Sequence, residues 1–184
     1  MKTFTLDTNC IIDVAQSRPD KSHILALRDA HCTGTVNVAV VGISASEKQM
    51  SGAYLSTFAA FQAELQSCGL DSLDMLKPVG YWDITFWGWC VWSNPALIAL
   101  EQAIHAAMFP GSQFELADHI ARSAKTEHNA KVEWRNQKCD VLALASHVAN
   151  RRDVFVTRDA DFNAARSVSG VGQIVRPDQA AAML

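Results

Sequence analysis

Hydrophobic positions along the 184-residue chain fall into short runs that switch between two periods. Alternating or continuous β-branched runs at 3–6, 35–41, 75–81, 154–157 and 173–176 predict strands. Helical spacing predicts helices over 10–15, 23–30, 44–66, 94–108, 114–124, 128–137 and 139–150, with a short last one starting at Pro177. Pro19 stops the first of these, Cys68-Gly69 ends the third, and Phe109-Pro110-Gly111 breaks the fourth. Ser44 with Glu47 three residues on is a capping-box pattern, which places Glu47 in a first helical turn. In the helix over 139–150, Val141, Leu142, Ala145, Val148 and Ala149 share one face. Strands alternating with helices predict an α/β sandwich built on a mainly parallel sheet.

In such a sheet, ligands bind beyond the carboxyl ends of the strands. Asp7 follows the first predicted strand, Glu47 the second and Asp159 the fourth, with Asp161 two residues further on. Asp140 joins them if its helix packs beside the first strand. Converging carboxylates repel, and unpaired ones are driven toward the protonated form. A bound Mg²⁺ or Mn²⁺ resolves the conflict, because hard divalent cations take oxygen ligands. A carboxylate site with open water positions suits phosphoryl chemistry: the ion lowers the pKa of a water and polarises the phosphorus–oxygen bond. Each acid also has a plain structural reading. Asp7 could cap the following helix, Glu47 close its own cap, Asp140 favour a helix dipole, Asp159 form a turn and Asp161 cap the last segment.

Composition narrows the setting. Apolar residues make up 49% of the chain, enough to bury a sizeable core. The five cysteines are scattered and form no CxxC pair, so a disulfide scaffold or zinc knuckle is not expected and a reducing cytoplasm is. The N-terminus runs straight into a strand pattern rather than a signal peptide. The stretch 84–100 is free of charge but shorter than the ~20 apolar residues of a spanning helix, and Ser93, Asn94 and Pro95 interrupt it, so no membrane span is expected. Net charge is -3, yet setting aside the five candidate acids leaves slightly more bases than acids. The bases bunch late in the chain. Arg135, Lys138 and Arg158 are candidates for steering a nucleic-acid strand, the alternative being a solvated helix face. His105, His119, His128 and His147 lack a paired-ligand spacing, and no glycine-rich loop follows a strand.

The chain reads as one domain, 1–184, with a tryptophan-rich helical insertion around 82–112. The block YWDITFWGWCVW holds four of the five tryptophans, Trp82, Trp87, Trp89 and Trp92. Core of the inserted element is the expected role; a partner interface or base stacking are the alternatives.

FTLDTNCIID near the start, the helix-opening Glu47, Asp140 leading an Ala-rich helix and VFVTRDADF near the end together resemble the PIN-domain family, most of all its VapC-type toxin ribonucleases. The likeness covers roughly 1–66 and 138–177. The span from Glu47 to Asp140 is longer than in compact members, and its tryptophan block has no counterpart in the usual pattern. The resemblance implies a three-layer sandwich and a Mg²⁺- or Mn²⁺-dependent endonuclease that cleaves single-stranded RNA with a metal-activated water. It places the metal and catalytic acids at Asp7, Glu47, Asp140 and Asp159, with Asp161 at an often-acidic position. Thr8 and Asn9 match residues that support the first acid, and Thr157 a hydroxyl before the fourth. It also implies a cognate antitoxin and a homodimer. Two rivals stand beside it: a PIN-like protein-binding module with weak or no catalysis, and a DNA-directed nuclease.

Overall fold

The computed structural model describes residues 1–47, 55 and 57–184. Five strands, β1 (Thr3–Leu6), β2 (Asn37–Val41), β3 (Asp74–Leu76), β4 (Val154–Val156) and β5 (Gln173–Val175), form one sheet in the order β3-β2-β1-β4-β5. Every neighbouring pair is parallel. Among the described residues seven α-helices accompany it: α1 (Thr8–Ala15), α2 (Lys21–Cys32), α3 (Phe58–Ser67), α4 (Pro95–Met108), α5 (Leu116–Arg122), α6 (Glu127–Ala149) and α7 (Pro177–Ala181). Two 3-10 turns, Gly42–Ser46 and Asp161–Ser167, follow β2 and β4.

Successive strand residues feed two cores, one on each face of the sheet, as the two-residue repeat requires. Phe4, Leu6, Val38, Val40, Val154 and Val156 pack against α1, α2, α3 and α7. Ala39, Val41, Phe155 and Ile174 face the other way, onto α4, α6 and the turn carrying Phe162 and Ala165. A parallel sheet covered on both faces is a three-layer sandwich, as the strand–helix alternation predicts. Thr5 is the polar exception on the second face: its hydroxyl meets Nδ1 of buried His147 at 2.8 Å, while Nε2 of that ring reaches the Val171 carbonyl at 3.0 Å.

Three sequence expectations give way. The helix expected from Ser44 is instead the turn Gly42–Ser46, after which Glu47 is extended; positions 48–54 and 56 of that expected helix lie outside the described residues. The capping box does not form because its side chains are used elsewhere. Ser44 Oγ and Glu47 Oε1 both contact Thr8 Oγ1, at 2.7 and 2.5 Å. The next α-helix among the described residues is α3, capped by Thr57 and ending at Cys68 before Gly69, whose φ of +66° suits a helix exit. The third strand is shorter than expected, ending at Leu76, with only a bridge between Val79 and Val91 beyond it.

Third, the helices expected over 128–137 and 139–150 are a single helix, α6, of 23 residues. No Pro or Gly interrupts 127–149, so the polar first half simply continues into the amphipathic second half. Helix α4, by contrast, matches its expected bounds, with Asn94 capping Leu97 N–H and Pro95 in the first turn. Among the described residues no helix is long and apolar enough to cross a membrane.

Candidate functional site

Because the strands are parallel, their C-terminal ends open on one edge. The chain order changes direction between β1 and β4, and that is where a ligand crevice forms in an open α/β sheet. Asp7 leaves β1 at this point, its N–H still bonded to the Val156 carbonyl of β4 at 3.0 Å. Thr157 and Asp159 leave β4 beside it, and Ser44 and Glu47 follow β2.

Asp7 is held on every side. Its Oδ1 accepts Thr8 N–H at 2.8 Å, and Oδ2 accepts the Asn9 amide at 2.9 Å and the Thr157 hydroxyl at 2.7 Å. The capping reading holds, since Asp7 is the N-cap of α1, and Asp7 is also a buried carboxylate. Thr157 Oγ1 in turn accepts Asp159 N–H at 2.9 Å, and Asp159 Oδ1 accepts Asp161 N–H at 2.9 Å. One threonine thus sets the position of Asp7 and of the turn bearing the next two acids. Thr8, with one hydroxyl proton, bridges Glu47 and Ser44.

Asp140 reaches this group from the other helical layer. It sits midway along α6, well away from the helix N-terminus, which removes the dipole reading. Its carboxyl is raised well above the ordinary range by burial first, then by the charges of Glu47, Asp7, Asp159 and Asp161. Glu47 is pushed up to about 8, by burial and then by Asp7, against the opposing Thr8 hydrogen bond. Burial also raises Asp7, with Asp159 adding to it and the bonds from Thr157, Thr8 and Asn9 pulling back. Mutual repulsion among Asp7, Glu47, Asp140 and Asp159 is the signature of one shared electrostatic environment. Asp161 belongs to it through Asp140 but is exposed.

The donor set is all hard oxygen, the chemistry that Mg²⁺ or Mn²⁺ selects. Among the described residues no three His, Cys, Asp or Glu side chains form a ready-made ligand cluster. Mg²⁺ does not require one, since it binds through one or two carboxylates and completes its shell with water and substrate phosphate. Asp7, Glu47, Asp140 and Asp159 could hold such an ion on those terms.

The basic residues singled out from the sequence are drawn into the protein itself. Lys138 is 1% exposed, so it does not face a strand. Its Nζ lies 3.6 Å from Glu101 Oε2 and 3.3 Å from Tyr81 Oη, above the ring of Phe114. Arg135 donates to the carbonyls of Ser46, at 3.1 Å, and Asp83, and so ties the tryptophan loop to the β2 exit. Arg158 pairs with fully buried Asp13 at 2.8 Å. Charge counting along the sequence could not separate surface cations from these.

The tryptophans divide. Trp89 is partly buried and stacked on Phe58, with ring centroids 4.2 Å apart, as the core reading requires. Trp82, Trp87 and Trp92 overturn that reading, being 79%, 59% and 85% exposed and grouped edge to edge. They lie in the loop before α4, where no described residue covers them.

Sequence reasoning missed Ser44, read as a helix cap, and Asp13, whose only signal was an acid among the apolar positions of a short helix. No protein-family model and no curated protein matches the chain. Among solved structures it is similar to the crystal structure of VapBC2 from Rickettsia felis bound to a DNA fragment from their promoter, at 11% identity and a TM-score of 0.49, over 94% of this chain and 98% of that one.

Proposed function

We propose that this chain is a Mg²⁺- or Mn²⁺-dependent endonuclease that hydrolyses phosphodiesters of single-stranded RNA. One observation carries the reading: acids from four separate segments, Asp7, Glu47, Asp140 and Asp159, meet at the C-terminal edge of a parallel sheet, at its switch point, where burial and then neighbouring acid charges raise the carboxyls of Asp7, Glu47 and Asp140. When bound, the cation supplies Lewis-acid polarisation of the phosphate and lowers the pKa of water. The protein's part is positioning. Thr8 N–H, Asn9 and Thr157 hold Asp7 in one orientation, and Thr8 holds Glu47. Such support is what keeps ligand carboxylates in place.

The resemblance of the opening and closing motifs to VapC-type toxins extends the proposal to a toxin neutralised by an antitoxin. RNA cleavage with Mg²⁺ tests the core of it. Wild-type protein should cut, and Asp7→Asn should lose at least a hundredfold in rate; undiminished cutting by Asp7→Asn refutes the assignment. Expression of the wild-type chain alone should slow host growth, and Asp7→Asn should not. A second reading, a protein-docking module, is favoured by the exposed Trp82, Trp87 and Trp92. It requires that Mn²⁺ titration show no binding dependent on Asp7 and Asp140.

A further inference from the structure

An open polar groove of about 530 Å³ runs along α6 and ends at Asp140 and Asp161. Its lining includes Lys125, Asn129, Asn136 and Gln137. Asn129, Asn136 and Asp140 are spaced seven and four residues apart, which puts them in one stripe on the helix. At 1.5 Å per residue, Asn136 stands about 6 Å and Asn129 about 16 Å from Asp140 along the helix axis. Both asparagines are exposed, and neither side-chain amide has a hydrogen-bond partner within the described protein. Gln137 differs: its Oε1 accepts the Ser112 hydroxyl at 2.6 Å, which orients the amide and leaves its N–H donors unused. Among the described lining residues the cation is Lys125, which pairs with Glu133 at 2.8 Å.

Resting on the nuclease reading above, we propose that this groove is the track for the single-stranded RNA, and that Asn136 and Asn129 are its base-reading residues. A free carboxamide offers a donor and an acceptor side by side, which matches the edge of an unpaired base. Asn129, Asn136 and Gln137 present amide donors and acceptors to a strand lying in it. Recognition in this track depends on base edges read by these amides. Asn136, one helical turn from Asp140, reads the nucleotide beside the scissile bond, and Asn129 reads one further along.

The test uses the full chain and a fluorescein-labelled single-stranded RNA of mixed sequence. Binding is read by anisotropy with Mg²⁺ in the non-cutting Asp7→Asn background, and cut sites are mapped with the otherwise wild-type enzyme. Adding Asn129→Ala and Asn136→Ala should weaken binding roughly tenfold and relax base preference next to the cut. The dependence of binding on salt should not change, because no phosphate contact is removed. Lys21→Ala on α2, in the opposite layer, should change neither. Both substitutions replace exposed helix residues by a better helix former, so the fold is retained and the thermal midpoint verifies it. If wild type cuts RNA but the double variant binds and cuts with unchanged affinity and preference, the track is wrong and the nuclease stands. If wild type neither binds nor cuts, both fall together.

Discussion

Removing the Lys138 ammonium tests the correction that matters most for function, that this lysine is structural. Glu101 is fully buried on α4, and Tyr81 donates to its Oε2 at 2.8 Å. Burial raises the Glu101 carboxyl while Tyr81 and Lys138 oppose that rise. Lys138→Met keeps a long apolar side chain but removes the ammonium that sits over the rings of Tyr81, Phe114 and Trp134, and leaves Glu101 without its cation. Breaking one side of a buried pair costs about 3–5 kcal/mol, whereas replacing both sides with apolar groups is often near neutral. Urea unfolding at pH 7 should therefore show Lys138→Met destabilised by about 3 kcal/mol or more, and Lys138→Met/Glu101→Leu recovering most of it. The loss in the single variant should shrink as pH falls. Glu101 then has a folded pKa raised above its unfolded value, so its penalty is absent below about 4.5 and grows as pH rises above that. RNA binding by the double variant should match wild type. A single variant as stable as wild type that has lost RNA binding refutes the reasoning, since that pattern belongs to a lysine facing the strand.

Two further outcomes follow from buried groups. His147 is fully buried and its pKa is lowered to about 4 by burial, chiefly, from an ordinary 6.5. The stability it protects is complete above pH 6.5 and is lost as pH falls through 4, about 3 kcal/mol in all; the raised carboxyls near Asp7 act with the opposite sign. The difference between wild type and His147→Gln isolates the effect, and an equal acid loss in both counts against it. Gly172 has φ +69°, and a Cβ there would stand 2.4 Å from the Asp153 carbonyl oxygen. Gly172→Ala should cost more than about 2 kcal/mol in thermal unfolding, and a neutral result would mean the β4–β5 connection differs from this geometry.

What could be read from the sequence depended on how local its cause is. Strand alternation in 3–6 and 154–157 and the Asn94-Pro95 cap are short-range, and the sheet and α4 follow from them. That Asp7, Glu47 and Asp159 share one edge was legible because a parallel sheet sends every strand exit there, so position after a strand stands in for position in space; Asp140, midway along α6, has no such local signal. Charge failed where the outcome is set by distant partners. Lys138, Arg135 and Arg158 look like a basic cluster along the chain, yet Glu101, the Ser46 and Asp83 carbonyls and Asp13 capture them. The capping box failed for the same reason, since Thr8, distant in sequence, took both of its side chains. A local motif predicts a local bond only when no tertiary partner competes for the same atoms. Around a cluster of buried carboxylates such partners are always in demand, because each unpaired acid raises the cost of its neighbours. The hydroxyls and cations nearest the site are therefore the residues whose roles sequence pattern alone assigns least well. The two asparagines on α6 show the reverse: their side-chain amides have no hydrogen-bond partner among the described residues and stay exposed.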